Sequence, residues 1–439
     1  MTASAVQLQA TDELGSPSAV ARWYVLIMMC LVYTLSIADR YVISTVLEPI
    51  RVELQLTDSG IGRLSGWALG LFYVAFGFPI SYLIDRASRR NIIAASLVAW
   101  SVMTTFCGLS RNYWQLFASR IGVGVGEAGG TPGANSILSD YFPAGRRAMA
   151  LTVFALGAPI GAWLGTDVAG AINDHFHSWR AVFLWLGIPG VIAGALVYLT
   201  VKEPRRGQLD KKDEGRAPGF METMRFLWQQ RSAVHVMVGS ALTALWGWGL
   251  MWWTPAFLQR SYGLTPGEAG AILGPINGFG GVAATVFTAW LLERPWMADS
   301  RRIVKLLGYW IGAATVVSIA IYWTHSLALT KMLFWIFIPS IYFYIGPCFG
   351  LLNNLSQPRM RAVFCATTLF LANVGNLIIA PELVGRLSDW FAPGSEPTAA
   401  SLRLALLCLA PTGFWATAHY FWSIRDLRAD EERATGVVV

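Results

Sequence analysis

The chain has 439 residues, of which 55% are hydrophobic and only 13% are charged. Soluble domains carry about 25% charged residues, so this composition excludes an ordinary soluble protein. The formal net charge of +7 does not indicate nucleic-acid binding, because most basic residues lie in short segments between apolar runs. The five cysteines stand singly, without a paired cysteine or a histidine cluster, so we expect neither disulfide bonds nor a metal site.

A polar segment, residues 1–22, opens the chain. It lacks the short apolar core and the small-residue cleavage site of a signal peptide. We therefore expect it to remain on the protein as a cytoplasmic tail.

Twelve apolar runs follow this tail. A bilayer core of about 30 Å requires about 20 apolar residues per helix. The runs cover residues 23–47, 61–84, 91–110, 113–138, 146–172, 179–201, 233–257, 267–292, 303–323, 331–354, 362–385 and 402–424. The sequence thus predicts an all-α integral membrane fold. Its parts are two six-helix bundles, residues 23–201 and 233–424, a linker, 202–232, and a C-terminal tail, 425–439.

The distribution of Lys and Arg predicts the orientation in the membrane. With a cytoplasmic N-terminus, most of these residues fall in the cytoplasmic loops, the linker and the C-terminal tail, as the positive-inside rule requires. Two arginines, Arg40 and Arg120, lie within spans instead. We expect both termini in the cytoplasm.

The two halves of the chain resemble each other. The segments LTDSGIGRLSG (56–66) and LTPGEAGAILG (264–274) align at an offset of 208 residues. At this offset three glycines and an acid–arginine pair coincide: Gly62, Gly66, Gly70, Asp85 and Arg86 with Gly270, Gly274, Gly278, Glu293 and Arg294. We expect two related bundles about an axis normal to the membrane.

Glycine at every fourth residue forms a flat stripe on a helix, against which another helix packs closely. Two stripes follow from the repeat, and a third lies on span 5 at Gly157, Gly161 and Gly165. Each stripe fits either static packing or an interface that slides or rocks. Pro159 and Pro275 favour the second interpretation, because proline weakens a helix locally.

Four charged residues are predicted to meet in the outer half of the first bundle. Asp39 lies 16 residues after Trp23, which places it about 24 Å from the cytoplasmic face. Arg120 lies at a similar depth on span 4, and Glu127 follows two turns later on the same side of that helix. Together with Arg40 they form two acids and two bases within the membrane.

Such residues are costly in a bilayer and usually mark ion or substrate routes. Desolvation makes a carboxylate easier to protonate, and a nearby arginine opposes this. If Arg120 moves between Asp39 and Glu127, the acid it leaves becomes easier to protonate, which would link conformation to proton uptake. The alternative is a static role, in which Arg120 only neutralises an acid and joins spans 1 and 4.

Several segments resemble motifs of the major facilitator superfamily. SYLIDRASRR (81–90) resembles the loop between spans 2 and 3, with Ser81 and Ser88 in place of two glycines, and ERPWMADSRR (293–302) resembles its second copy. ASRIGVGVGEAGG (118–130) is similar to the span-4 motif, and GAPIGAWLG (157–165) partly resembles the span-5 motif. The resemblance implies the major facilitator fold.

Within that superfamily the chain looks most like spinster-type lipid transporters of bacteria. This resemblance rests on ADRYVIS in span 1, RIGVGVGEAG in span 4, SWRAVFLWLGIPG (178–190) and PAFLQRSYGLTPGEAGAILG (255–274). It implies proton-coupled transport of an amphipathic lipid with a charged head group, such as a lysophospholipid or a sphingoid phosphate, across a bacterial inner membrane.

The resemblance also implies roles for single residues. Arg40 would lie near the substrate head group, Asp39 and Glu127 would carry protons, and Arg120 would be their switching partner. A latch would hold the cytoplasmic side closed in the outward-facing state, formed by Asp85, Arg86, Arg89, Arg90, Glu293 and Arg294.

The second bundle offers aromatic and amide side chains rather than ions. LWGWGLMWWTP (245–255) lies in span 7, and Asn373 and Asn376 lie in span 11. We predict Tyr41, Trp246 and Asn373 as substrate contacts beside Arg40, although lipid-facing tryptophans are the alternative. Glu382, late in span 11, is expected to pair with Arg386 one turn later.

The leading function is therefore a proton-driven secondary transporter that works by alternating access. No Walker motif is present, and none of the five histidines forms HExxH, so ATP-driven transport and a membrane enzyme are both disfavoured. The alternative within transport is a drug or organic-anion carrier. We expect protons as the coupling ion, no other cofactor, an amphipathic substrate, contact with membrane lipids, no nucleic acid, and a monomer.

Overall fold

The computed structural model describes residues 18–84, 86–206, 219–392, 394 and 396–435, and all regular structure within them is helical. Eleven helices are long and apolar enough to cross a bilayer, and a broken helix, α4, is the twelfth. In chain order they are α1 Ala19–Thr45, α2 Asp58–Ile84, α3 Arg89–Leu109, α4 Tyr113–Glu127 with Gly130–Tyr141, α5 Met149–Phe176, α6 Trp179–Thr200, α7 Arg231–Tyr262, α8 Pro266–Leu292, α9 Ser300–Trp323, α10 Leu327–Asn354, α11 Val363–Phe391 and α12 Ala399–Ser423. The predicted all-helical membrane fold is confirmed.

The break in α4 lies directly after Glu127. Ala128 and Gly129 form a turn between the two helical segments. Pro132 explains the break, because it has no N–H to donate to the carbonyl of Ala128 and its ring crowds that carbonyl. Glu127 therefore ends one segment, at a point where the backbone is interrupted.

Short helices extend the predicted boundaries. The first helix begins at Ala19 rather than at residue 23, and the linker contains the helix Phe220–Gln229. The C-terminal tail contains the helix Leu427–Thr435, whose Asp430 accepts a hydrogen bond of 2.7 Å from the backbone N–H of Ser232. We call the face that holds Ser18 and this helix the terminal face, and the other the opposite face.

Two pairs of helices form the seams between the bundles, α2 with α11 and α5 with α8. On α2 a Cβ atom at Gly62 would lie 2.5 Å from the carbonyl oxygen of Pro381. On α8 a Cβ atom at Gly270 would lie 2.3 Å from the carbonyl oxygen of Thr166. The two repeat-related glycine stripes therefore lie between the bundles, where only glycine permits so close an approach.

The third stripe has a different place. A Cβ atom at Gly161 would lie 2.5 Å from the carbonyl oxygen of Thr34, and Gly157 and Gly165 approach the backbone of the same helix, α1. Because α1 and α5 belong to one bundle, this stripe packs helices within the first bundle.

All four seam helices contain a π-helical segment. These segments are Leu64–Leu71 in α2, Leu164–Val168 in α5, Ile276–Gly280 in α8 and Val374–Ile379 in α11. A π turn carries an extra residue per turn and occurs often at functional sites. The seams thus combine small side chains with locally irregular backbone.

Candidate functional site

The structure brings the four predicted ions together as two pairs. In the first, Nη1 of Arg120 lies 3.1 Å from Oδ2 of Asp39, and both side chains are buried. Thr104 on α3 donates a hydrogen bond of 2.7 Å to the other carboxylate oxygen of Asp39. This pair joins α1, α3 and α4, and nothing in the sequence pattern indicates the role of Thr104.

The second pair joins Arg40 and Glu127. Nε of Arg40 donates a hydrogen bond of 2.7 Å to Oε2 of Glu127, whose side chain is fully buried, whereas that of Arg40 is 18% exposed. The guanidinium of Arg40 also lies over the ring of Tyr73, 4.5 Å from its centroid. A cation at this distance from an aromatic face is attracted to it.

Two polar atoms of this cluster have no hydrogen-bond partner within the described part of the chain. They are Nε of Arg120 and Oε1 of Glu127, and both are buried. Buried polar atoms are rarely left unpaired, because each lost hydrogen bond is costly. The unpaired donor and acceptor lie on the two residues that would meet if Arg120 changed its partner.

A cavity of about 220 Å³ lies between the bundles beside Arg40. Arg40 is the one charged side chain among the described residues that line it. The first bundle contributes Tyr33, Ile37, Arg40, Tyr41 and Ala158; the second contributes Ser240, Trp248, Trp252, Tyr342, Tyr344, Ile345, Phe349, Thr368, Leu369, Ala372, Asn373, Asn376 and Leu377. One wall therefore carries a cation, and the other is formed by aromatic, aliphatic and amide side chains.

Three of the four predicted substrate contacts, Arg40, Tyr41 and Asn373, line this cavity. Trp246 does not: its side chain is buried in the second bundle, where Nε1 donates to the hydroxyl of Ser318 and the ring packs against Phe337. The prediction for Trp246 placed it on the wrong face of α7. Two residues later a helix has turned by about 200°, so Trp248 faces the cavity instead.

Charged residues join the bundles at the opposite face. Arg260 on α7 donates hydrogen bonds of 2.7 Å to both carboxylate oxygens of Asp58 and one of 2.6 Å to Glu48. Asp58 is fully buried, and Ser388 on α11 donates to the same carboxylate. The sequence analysis missed this cluster, because each of its residues lies at a helix end where a charge is unremarkable.

Two aspartates cap helix starts of the other bundle. Asp389 on α11 accepts 2.9 Å hydrogen bonds from the backbone N–H groups of Asp58 and Ser59, at the start of α2. Asp174 on α5 accepts a 3.0 Å hydrogen bond from the N–H of Gly267, at the start of α8. Ser59 and Gly267 are equivalent at the offset of 208 residues, so the caps repeat the symmetry of the chain.

Comparison with known proteins identifies the family. The model of the Major Facilitator Superfamily matches residues 29–380. The chain belongs to the major facilitator superfamily. A crystal structure of a bacterial homolog to the human lysosomal transporter spinster, in an inward-facing and unoccupied conformation, superimposes with a TM-score of 0.82 at 27% identity, over 94% of this chain and 99% of that one.

Two curated relatives differ in how much of this facilitator they match. An MFS-type efflux pump of Mycolicibacterium smegmatis is 28% identical over 97% of this chain and 98% of its own. The sphingosine-1-phosphate transporter SPNS2 of Xenopus tropicalis is 30% identical over 52% of this chain and 44% of its own, less than half of that relative. The chain is a spinster-like membrane transporter and not an enzyme.

Glu382, an acid on α11 at the α2–α11 seam, makes two contacts. It pairs with Arg386, whose Nε lies 2.8 Å from Oε1, so that prediction is confirmed. It also accepts a hydrogen bond from the indole N–H of Trp67 on α2. Glu382 thus links α11 to α2 across the seam.

The residues predicted as a latch contact residues of their own bundle or of the linker. Arg89 is buried and pairs with Asp140 and with Glu203, at 2.8 Å. Arg86 lies over the ring of Tyr82, and Arg90 over Tyr198. In the second bundle, Arg294 lies over Trp290 and Glu293 is exposed, whereas Asp85 lies outside the described residues. A latch between bundles stays a prediction for the other conformation.

Glu203 stabilises the start of α3. It accepts a 2.7 Å hydrogen bond from the backbone N–H of Arg90 and a 2.9 Å bond from the hydroxyl of Ser88. Partial burial would raise the pKa of this carboxyl, but the hydrogen bonds from Arg90, Arg89 and Ser88 outweigh it and hold the pKa below its ordinary value.

Proposed function

We propose that this chain is a proton-coupled transporter of an amphipathic lipid with a charged head group, of the lysophospholipid or sphingoid-phosphate type. The observation that carries the proposal is the cavity between the bundles, whose described lining has the guanidinium of Arg40 on one wall and aromatic and aliphatic side chains on the opposite wall. Such a cavity matches a molecule with one ionic and one apolar end.

Arg40 is the group that would bind the head. Its Nε is bonded to Glu127, and the residue lines the cavity, so its guanidinium would meet an anion that enters there. A guanidinium binds phosphate or carboxylate through parallel hydrogen bonds, which an ammonium group does not do. The apolar part would contact Trp248, Tyr344 and Phe349. The printed name of the SPNS2 relative, a sphingosine-1-phosphate transporter, supports this class of substrate.

Proton coupling follows from competition for the two guanidinium groups. An anion at Arg40 competes with Glu127, and a carboxylate without its cation in a desolvated site is easier to protonate. Arg120 is the switching partner in this scheme, because its unpaired Nε and the unpaired Oε1 of Glu127 permit a new bond. Asp39 would then lose its cation and accept a proton in turn.

Alternating access would use the two seams. The bundles are joined at the opposite face by Arg260 and by the two aspartate caps. Breaking these bonds would open the cavity to that side, while the latch residues would close the terminal side. With both termini in the cytoplasm of a bacterium, the present arrangement is inward-facing, and the protein functions as a monomer in the inner membrane.

A second candidate is a drug or small organic-anion carrier driven by protons. The observation that favours it is the relative from Mycolicibacterium smegmatis, an efflux pump that matches nearly the whole chain. The same ion cluster would serve it, so only the substrate separates the two candidates.

Counterflow in proteoliposomes under an imposed pH gradient tests the proposal. We expect uptake of a fluorescent lysophosphatidylethanolamine, lost in Asp39→Asn and in Arg40→Ala and retained in Arg386→Gln, whose guanidinium is largely exposed. Uptake of a fluoroquinolone without the lipid would favour the second candidate. Proton uptake as large in the double variant Asp39→Asn, Glu127→Gln as in the unaltered chain would contradict the coupling scheme.

A further inference from the structure

Another acid lies within the membrane, outside the ion cluster. Asp167 lies on α5, nine residues before the helix ends at Phe176. At 1.5 Å per residue this is about 14 Å from the end of the helix, well within a hydrocarbon core of about 30 Å. The sequence analysis gave this residue no role.

Asp167 differs from Asp39 and Glu127 in its partners. Within the described part of the chain, no Lys or Arg lies within ion-pair distance of it, and its hydrogen-bond partner is the indole N–H of Trp163, at 2.9 Å. It lines a groove of about 330 Å³ on the surface of α5 whose other walls, apart from His175, are apolar. An unneutralised carboxylate in such surroundings is strongly disfavoured.

Charged groups of the neighbouring elements are bonded elsewhere. On α1 Arg40 binds Glu127 and Asp39 binds Arg120, and on α6 Arg180 binds Glu53. On α8 Glu268 accepts from the N–H of Thr265, and on α5 itself Asp174 caps α8 while the ring of His175 contacts Phe176. Arg40 and Arg180, two arginines on these neighbouring helices, are paired with other acids, and the remaining groups named here include no permanent cation.

Asp167 also lies on the seam that must open. It belongs to the π-helical segment of α5, and a Cβ atom at Gly274 of α8 would lie 2.6 Å from the Cβ of Asp167. Seven residues later on α5, Asp174 forms the cap that joins the two bundles. When the bundles separate at the opposite face, the packing around Asp167 is therefore lost and water reaches its carboxyl group.

We infer that Asp167 is a second proton-binding site, separate from the ion cluster, which holds a proton while the α5–α8 seam is closed and releases it when the seam opens at the opposite face. The O–H bond of the carboxyl group breaks, the proton passes to water in the opened seam, and the carboxylate remains. The inference rests on the proposed alternating access, and it adds one proton to each cycle.

The test measures how pH changes the ratio of open to closed chains. Spin labels at Val52 and Leu329, exposed residues of the two bundles, report this ratio by pulsed electron resonance on the full chain in nanodiscs, with the native cysteines replaced. The slope of the logarithm of the ratio against pH equals the number of protons released on opening. We expect Asp167→Asn to lower this slope by one, a tenfold smaller change in the ratio per pH unit.

Two variants serve as controls. Asp167→Glu keeps an acid and should keep the slope, and Val168→Asn places an amide on the lipid-facing neighbour and should also keep it. A slope unchanged in Asp167→Asn would overturn the inference. The double variant Asp39→Asn, Glu127→Gln tests the proposed function separately, because it removes the other protons while Asp167 remains.

A measurement on the unaltered chain covers the case in which Asp167→Asn does not fold. Dicyclohexylcarbodiimide modifies protonated carboxyl groups that are accessible from lipid. We expect peptide mass spectrometry to find it on Asp167, with less labelling at alkaline pH or when crosslinked cysteines hold the seam open. Absence of the label on Asp167 at acidic pH would contradict the inference.

Discussion

The two bundles repeat one sequence pattern, yet they differ in the chemistry they present to the cavity. The first holds two buried ion pairs, Asp39 with Arg120 and Arg40 with Glu127. The second presents tryptophans, tyrosines and the amides of Asn373 and Asn376. The repeat survives at the seams, in the glycine stripes, π-helical segments and aspartate caps. Symmetry is thus kept at the seams between the bundles and lost on the walls of the cavity.

Electrostatics gives a reason for this division. A charge in the membrane interior costs several kcal/mol, and the cost falls only when an opposite charge and hydrogen bonds compensate it. Gathering four ions in one bundle lets each compensate another, whereas spreading them over both walls would leave some uncompensated whenever the bundles part.

The largest expected effect comes from breaking the most buried pair. Arg120→Met leaves the carboxylate of Asp39 buried without its cation, which costs about 3–5 kcal/mol in comparable buried pairs. We expect a large loss of thermal stability in detergent and loss of lipid counterflow. Adding Asp39→Asn should restore much of the stability, because it removes the uncompensated charge, but not the transport.

A control for this variant lies in the second bundle. Arg386→Met removes an arginine that also pairs with an acid one turn away, but its side chain is 68% exposed. Exposed pairs contribute about 1 kcal/mol or less. Equal losses of stability in the two variants would contradict the view that the pair between Asp39 and Arg120 is more costly to break than the pair between Glu382 and Arg386.

The next effect concerns the cavity walls. Arg40→Ala removes the charged group that the described residues place on the lining, and hydrogen bonds to charged groups contribute about 1.5–3 kcal/mol. We therefore expect lysophosphatidylethanolamine to bind about ten- to a hundredfold more weakly, measured by its quenching of tryptophan fluorescence. Arg40→Lys should recover part of this affinity, since it keeps the charge but not the parallel hydrogen bonds.

The amide wall provides the matched comparison. Asn376→Leu removes a neutral polar group from the second bundle, for which about 0.5–1.5 kcal/mol is typical. If this variant weakens lipid binding as much as Arg40→Ala does, the guanidinium is not the main group that binds the head group. The two walls of the cavity would then not bind different parts of the lipid.

A smaller effect is expected at the aspartate caps. Removing a helix-capping side chain costs about 0.5–2 kcal/mol, so Asp389→Ala should shift the ratio of open to closed chains by about two- to thirtyfold towards opening. Asp174→Ala should do the same, because Asp174 caps the equivalent helix start. Spin-label distances at the opposite face measure both shifts. A shift in one variant without the other would show that the seams are not equivalent.

The sequence predicted the spans, the two bundles and the four ions, because apolar length and intramembrane charge are strong local signals. It could not predict that Asp389 caps α2 or that Arg260 binds Asp58, because these partners lie far apart along the chain and have ordinary surface chemistry. Trp246 was assigned to the cavity because composition identifies an aromatic-rich helix but not which of its faces turns inward. The sequence alone indicates no role for Asp167, because that role depends on how α5 packs against its neighbours, among whose described residues no Lys or Arg lies within ion-pair distance of it.

The smallest expected effect compares the two bundles at the terminal face. Glu203 accepts a hydrogen bond from a backbone N–H at the start of α3 in the first bundle, and Asp430 does the same at the start of α7 in the second. The hydrogen bonds that lower the pKa of Glu203 stabilise the folded chain fully above the ordinary glutamate pKa of about 4.3, and this stabilisation is lost as the pH falls through the lower pKa of the folded state. Glu203→Gln should lower the unfolding temperature at neutral pH by a few degrees, about 1 kcal/mol or less, and the difference from the unaltered chain should shrink in acid. Thermal unfolding of the variant and of the unaltered chain in detergent, across this pH range, measures the difference in unfolding temperature. A difference that does not change with pH would show that the side chain of Glu203, and not its charge, stabilises the first bundle here.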